Sequence, residues 1–346
     1  MGATFLAASI ALLACFEPRE QAGRSKPPAA HARAKSASAQ RPFAPVSAKP
    51  TPSPSSNLAV VPPLPGRSDC PRYLPGETTG RIEDKSIAEA SGLAASRQNP
   101  GVLWTHNDSG GQARVFAMRT DGKELGSYSL KKAKAVDWED IAVGPGPEPG
   151  KSYLYVGDIG GNHKARKKVV VYRTLEPKVE LDQKAKKRKL DDVDALELDY
   201  PKHDAYDAET LLIDPSTSDV YVVTKALKGT ALVFVARAPH SQKHDNELER
   251  VATLRLPTAT PGAMLTTGGD IAPDGSAIVI RTYSRAYWWS RKPTQTVGEA
   301  LQAEPCRIPV REEPQGEAIA FTAKADGYFT VSEGKHSPIY RYLRQP

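Results

Sequence analysis

One five-residue pattern recurs five times along this chain, and it narrows the folds open to it more than any other feature. The pattern sets a small or acidic residue two places before an apolar one. It occurs as Glu89-Ala90-Ser91-Gly92-Leu93, Asp137-Trp138-Glu139-Asp140-Ile141, Asp207-Ala208-Glu209-Thr210-Leu211, Thr267-Gly268-Gly269-Asp270-Ile271 and Gln315-Gly316-Glu317-Ala318-Ile319. The copies are separated by roughly 48, 70, 60 and 48 residues, the length of a propeller blade with loop insertions. A turn and a second apolar run follow each copy, at 102–105, 153–156, 220–223, 277–280 and 328–331. Third runs stand at 115–118, 169–172, 232–235 and 339–342, and outer strands fit 125–130, 195–200 and 251–256. These runs are short, rich in Val, Ile, Tyr and Leu, and cut by Gly, Pro, Asn and Asp, so they read as strands. Three or four antiparallel strands per unit, radially repeated, predict an all-β protein, a β-propeller of about five blades. A sixth blade of degenerate sequence would also fit. A β-sandwich would not repeat the same opening motif in every unit.

The last unit ends its third strand almost at Pro346, which leaves no room for a fourth. An N-terminal strand near 79–83, just ahead of the first motif, is expected to close the ring. Cys70 precedes that strand and Cys306 ends the fourth unit, so the two thiols should approach each other and form a disulfide.

The 346 residues carry 30 Pro, 26 Gly and only 3 Cys, which excludes a collagen and a disulfide scaffold. The formal charge of +7 is unevenly spread. Residues 16–68 hold about eight basic and two acidic side chains, which leaves about +1 for the rest. A nucleic-acid binder needs its positive charge on a folded face, so no nucleic-acid partner is expected.

The first apolar run spans only residues 5–14, the size of a signal h-region and too short to cross a bilayer. It ends in Leu12-Leu13-Ala14-Cys15, which resembles the lipobox of bacterial lipoproteins. That resemblance implies a signal peptide over 1–14, lipidation of Cys15 and anchoring in the bacterial cell envelope; plain secretion is the alternative. Residues 15–68 are dominated by Pro, Ala, Ser and basic residues and cannot bury enough apolar surface to order themselves. They are expected to form a disordered tether to a propeller domain at 69–346, which should be monomeric.

In a propeller, the first strand of each blade starts at the channel rim and the second ends on the same face. The repeat therefore places two rings around one mouth. One holds Glu89, Asp137, Glu139, Asp207, Glu209, Asp270 and Glu317; the other holds His106, Asn107, Asp108, Asp158, Asn162 and Glu333, with Lys225 and Arg281 as the cations. So many carboxylates at one mouth repel each other unless N–H groups, cations or a hard ion such as Ca²⁺ neutralise them. Each acid has a structural reading as well, as a loop cap or an acceptor from the next blade. His106 alone reads as a strand-end residue. The run Lys184-Ala185-Lys186-Lys187-Arg188-Lys189 reads as a solvated loop, and Trp288-Trp289 as either a packing pair or an exposed aromatic patch. No nucleophile elbow or dinucleotide fingerprint is present.

The stretch from Asp137-Trp138-Glu139-Asp140-Ile141 to Asp158-Ile159-Gly160 resembles secreted bacterial propellers of the phytase-like and esterase-like-phytase type. So does Gln315-Gly316-Glu317 through Ser332-Glu333-Gly334. The resemblance implies Ca²⁺ held by acidic clusters, for which Glu139, Asp158, Glu209, Glu317 and Glu333 are the matching candidates. With only Lys225 and Arg281 as channel cations, the sequence favours a non-catalytic propeller that binds a cation, small ligand or protein at an acidic mouth. The alternative is a Ca²⁺-dependent phosphate- or carboxylic-ester hydrolase.

Overall fold

Each opening motif begins the innermost strand of its own antiparallel sheet. The computed structural model describes residues 69–346 except 109–110, 162–163, 227–228 and 257–264. The expected signal peptide, Cys15, the tether and Asn162 lie outside the described residues. In chain order, β1 (Glu77–Arg81) precedes the first blade, made of β2 (Ala90–Ala95), β3 (Val102–Asn107), β4 (Arg114–Arg119) and β5 (Glu124–Leu130). Blade 2 uses β6 (Trp138–Pro145), β7 (Ser152–Asp158), β8 (Lys168–Leu175) and, after β9 (Lys186–Leu190), β10 (Val193–Asp199). Blade 3 uses β11 (Ala208–Ile213), β12 (Val220–Thr224), β13 (Thr230–Ala236) and, after the short β14 (Asn246–Glu247), β15 (Glu249–Arg255). Blade 4 uses β16 (Thr266–Ile271), β17 (Ala277–Thr282), β18 (Ala286–Ser290) and β19 (Cys306–Ile308), and blade 5 uses β20 (Gly316–Phe321), β21 (Gly327–Ser332) and β22 (Pro338–Leu343). The chain is a five-bladed β-propeller.

Burial explains the sequence pattern. The inner strands β2, β11, β16 and β20 are buried at every residue because both faces meet neighbouring blades. The outer strands β10 and β15 mix buried and exposed positions, as expected for strands with one wet face. The core is accordingly split into five apolar clusters, one in each blade–blade interface. Trp288 and Trp289 are a packing pair: period-two alternation sends Trp289 against Leu212 and Tyr221 of blade 3, and Trp288 into the cluster with Phe321 and Tyr328 of blade 5. Burying each such ring stabilises the fold by about 1.5–3 kcal/mol or more.

The ring closes through β1, which pairs antiparallel with β22 from Glu77↔Arg341 to Arg81↔Pro338. This strand starts two residues earlier than the expected 79–83. Cys70 is bonded to Cys306, the first residue of β19, with Cα atoms 5.5 Å apart. The incoming chain is thus fixed to blade 4 before it completes blade 5.

The basic run 184–189 departs from its expected loop form. Its residues from Lys186 onward form β9, a fifth strand that leaves blade 2 and pairs in parallel with β5 on the outer edge of blade 1. Its side chains from Lys186 to Lys189 are exposed, so the charge is solvated while the backbone is paired.

Candidate functional site

The mouth is shaped by bulges in the inner strands. Trp138 pairs with Asp158 but Asp140 pairs with Gly157, so Glu139 is looped out of the ladder. Register shifts do the same to Glu209 and Glu317. A bulge re-aims its side chain, which turns these three glutamates out of the ladder at the mouth. A second ring follows from one repeated backbone bond. The N–H groups of Asp108, Gly160, Lys225 and Glu333 donate to the carbonyls of Glu89, Asp137, Asp207 and Gln315, at 2.9, 3.2, 2.9 and 3.0 Å. Four blades make this bond: in blades 1, 3 and 5 the donor directly follows the strand partner of its motif, whereas in blade 2 Ile159 comes between and the donor is a glycine.

That glycine leaves a gap which two acids occupy. A Cβ at Gly160 would overlap Glu139 Oε1 and lie 2.6 Å from Asp137 Oδ2. Glu139 is 3% exposed, and its Oε1 has no hydrogen-bond partner among the described residues. Asp108, Asp137 and Glu139 offer carboxylate oxygens that lie within 4.8 Å of one another, as do Glu139, Asp207 and Glu209. That span is about twice a Ca–O bond of ~2.4 Å, so one ion could touch all three oxygens of a group. The second group already has a cation: Lys225 Nζ is ion-paired with Glu209 and lies 3.8 Å from Asp207. Asp207 also accepts from Gly161 N–H at 2.7 Å. Glu139 belongs to both groups, and the gap at Gly160 lies on the side of the first.

Electrostatics agree with this geometry. Burial pushes Glu139 well above the carboxylate range, and the charges of Glu209, Asp108 and Asp137 push it further. Burial raises Glu209 to about 7 against the pull of Lys225. Burial opposes the Lys225 ammonium, but Glu209 and Asp207 more than reverse this and raise its pKa. Across the mouth, burial lifts Glu317 to about 8, with Gln315 opposing through a 3.1 Å hydrogen bond and Glu209 and Glu333 adding. Burial with Asp108 and Glu89 raises Glu333 to about 7. Burial is the first cause of each of these upward shifts, and the neighbouring carboxylates add to it.

Several expected site residues serve the scaffold instead. Asp158 accepts from Asp137 N–H at 3.2 Å and from Arg166 Nη1 at 2.6 Å, so its charge is met by Arg166 and not by the gap. Asp270 lies deeper than expected, because blade 4 bulges at Thr267 and so sets Thr267 in the place held by Glu139, Glu209 and Glu317. Its carboxylate accepts from Ile271 and Phe321 N–H, which ties blade 4 to blade 5. Arg281 is fully buried between blades 4 and 5, ion-paired with Glu313 and donating to Ala318 O at 3.0 Å, and from there its charge also acts against the raised pKa of Glu317. Asn107 accepts from Ala88 and Glu89 N–H and donates to Ser86 O, stapling the approach to blade 1. His106 is buried edge-on to Trp138 with ring centroids 5.7 Å apart, and burial lowers its pKa to about 4.

Two residues of the region escaped the sequence reading. Tyr283 follows β17, and its hydroxyl pKa is raised by burial and by Glu317, Glu209 and Glu333. Its position directly after the second strand of its blade is the signal that could have found it. Asp140 is fully buried and accepts from Leu211 N–H at 3.0 Å and Gly269 N–H at 3.2 Å, joining blade 2 to blades 3 and 4.

No protein-family profile matches the chain, and no curated protein does. Among solved structures it is similar to the WD40 repeats of RRP9, with a TM-score of 0.39, 10% identity, and 74% of this chain and 80% of that chain covered. It is also similar to a chain of the Mitotic Checkpoint Complex, with a TM-score of 0.33, 14% identity, and 73% of this chain and 62% of that chain covered.

Proposed function

We propose that this chain is an envelope-anchored propeller that binds Ca²⁺ at the blade-2 side of its acidic mouth and presents it to a ligand or partner without catalysing a reaction. The observation that carries this reading is the buried, unpartnered Oε1 of Glu139 facing the gap at Gly160. An orphan buried carboxylate oxygen is costly, and a hard cation with oxygen ligands relieves it. Lys225 is engaged by Glu209 and Asp207, so it is poorly placed to receive a substrate phosphate, and this favours binding over phosphate-ester hydrolysis. The Cys70–Cys306 bond fits an oxidising compartment outside the cytosol, in keeping with the lipobox-like start.

Titration calorimetry with Ca²⁺ tests the reading. Saturable binding that raises the melting temperature, and that is lost in Glu139→Gln, supports it. A protein indifferent to Ca²⁺ and chelator would defeat it. Turnover of a generic phosphomonoester or acetate ester that needs Ca²⁺ and Glu139 would select the hydrolase reading instead.

A further inference from the structure

A cationic strand forms the outer edge of blade 1, where the charge of Lys187 acts on Glu124. Between β8 and β10 the chain leaves blade 2, lays β9 along β5, and returns. Lys184, Lys186, Lys187, Arg188 and Lys189 on this excursion are all exposed. Among the described residues none of the five makes an ion pair or side-chain hydrogen bond. The neighbouring cations do: Lys131 pairs with Asp191 at 3.0 Å and Lys178 with Glu180 at 3.1 Å.

Lysines on an edge strand can simply discourage sheet-to-sheet association. One or two suffice for that, whereas here four consecutive side chains of β9 are cationic. Side chains alternate along a strand, so Lys186 and Arg188 flank one face and Lys187 and Lys189 the other. Only a partner that meets the edge itself engages all four at once, which suits a broad charged surface better than a narrow peptide. Two exposed leucines lie on the stretch of chain that leads from the end of β8 to this edge. Leu175, 43% exposed, pairs with Tyr153 near the start of β7, and Leu181, 42% exposed, lies beside Gly101 just before β3. Both strand starts lie at the end of the blade opposite the mouth. Cations beside apolar side chains match the boundary between anionic headgroups and acyl chains. The strand carries no aromatic residue on which nucleic-acid bases could stack.

We infer that β9 with Leu175 and Leu181 forms a docking edge for an anionic lipid surface, which would seat the disc on a membrane edge-on and leave the acidic mouth clear. The inference stands on the edge alone and does not depend on metal at the mouth.

Vesicle co-sedimentation of the full chain carrying Cys15→Ser, which removes any acyl contribution, tests it. The parent should partition onto vesicles with about a third phosphatidylglycerol and not onto neutral phosphatidylcholine vesicles, and ~0.5 M salt should release it. The variant Lys186→Gln/Lys187→Gln/Arg188→Gln/Lys189→Gln should lose about ten-fold or more of that partition at an unchanged melting temperature. Leu175→Ser with Leu181→Ser should weaken binding while the charge is intact. The basic segment 16–68 is present in every variant, so a quadruple variant that partitions like the parent would place the binding there and overturn the inference. Equal binding to neutral vesicles, or preferential capture of a single-stranded oligonucleotide, would overturn it as well.

Discussion

Gly160 stands so close to Glu139 that the smallest side chain at residue 160 would overlap Glu139 Oε1. Asp108, Lys225 and Glu333 make the matching backbone bond in three other blades, each to the start of its own motif and each one residue nearer its strand than Gly160. Blade 2 alone of these four makes the bond through a glycine, and the Glu139 oxygen facing it has no hydrogen-bond partner among the described residues.

Gly160→Ala should therefore remove the Ca²⁺ response while leaving the propeller folded. Gly160 does not have a left-handed backbone, so alanine is tolerated there and its effect is one of space. Melting curves with Ca²⁺ and with chelator check this. Parent-like stabilisation by Ca²⁺ in the alanine variant would show that the ion does not sit in this gap.

The metal-free domain should lose stability as pH rises through the neutral range. Burial, the first cause in each case, raises Asp270 to about 6, Glu333 to about 7 and Glu317 to about 8, and lifts Glu209 as well. In the unfolded chain, carboxylates release their protons near pH 4. The folded state thus binds more protons between about pH 4 and 8. The stabilisation from these groups is complete below that window and lost as pH climbs through it. Urea midpoints in chelator should be higher at about pH 5 than at pH 8, and Ca²⁺ should narrow the gap. A midpoint that rises across this range would contradict the assignment.

The repeat made the propeller legible because inner strands buried on both faces leave uninterrupted apolar runs bounded by turns. It also placed Glu139, Glu209 and Glu317 at one mouth, since the bulge that projects them falls inside the motif. Blade 4 misled because its Gly-Gly-Asp resembles the motif, while its bulge lies at Thr267 and leaves Asp270 as an inter-blade acceptor. Arg281 misled for a related reason. Arg281 is still inside β17 and is buried against Glu313, whereas Tyr283 stands just past the strand end beside the mouth carboxylates. β9 was hidden by its charge. Lys-rich sequence has no apolar alternation, and its strand form comes from pairing with β5 rather than from burial.

Asp140 should matter more to the fold than any mouth acid. Its carboxylate takes N–H groups from Leu211 and Gly269 as well as from Ile141, so three blades share it. Asp140→Ala strands those buried donors and should cost about 3 kcal/mol or more. Asp140→Asn keeps one acceptor oxygen and should cost less. Denaturant titrations rank the two variants, and equal stability with the parent would mean that the clasp contributes little.

The last prediction concerns the ends of the ring. The Cys70–Cys306 bond spans 236 residues and holds the chain to blade 4 just ahead of β1, which supplies the outer strand of blade 5. In the chain-entropy model a loop of that length stabilises by about 5 kcal/mol, an upper figure because measured cross-links usually deliver less. β1 has its own hold on the ring: it pairs with β22, Arg311 Nε donates to Gly76 O at 2.8 Å, and Tyr73 packs edge-on to Tyr328 with centroids 4.8 Å apart. Replacing both cysteines by serine should therefore leave a folded propeller that is about 2–4 kcal/mol less stable. The loss should be local first. With its anchor gone, β1 can leave β22 without unfolding the other four blades, so amide exchange at Thr78 and Gly80 should speed up before exchange in β11 or β16 changes. Reductant should reproduce both effects in the parent and neither in the double variant. Unchanged stability together with unchanged exchange in β1 would show that strand pairing alone closes the ring.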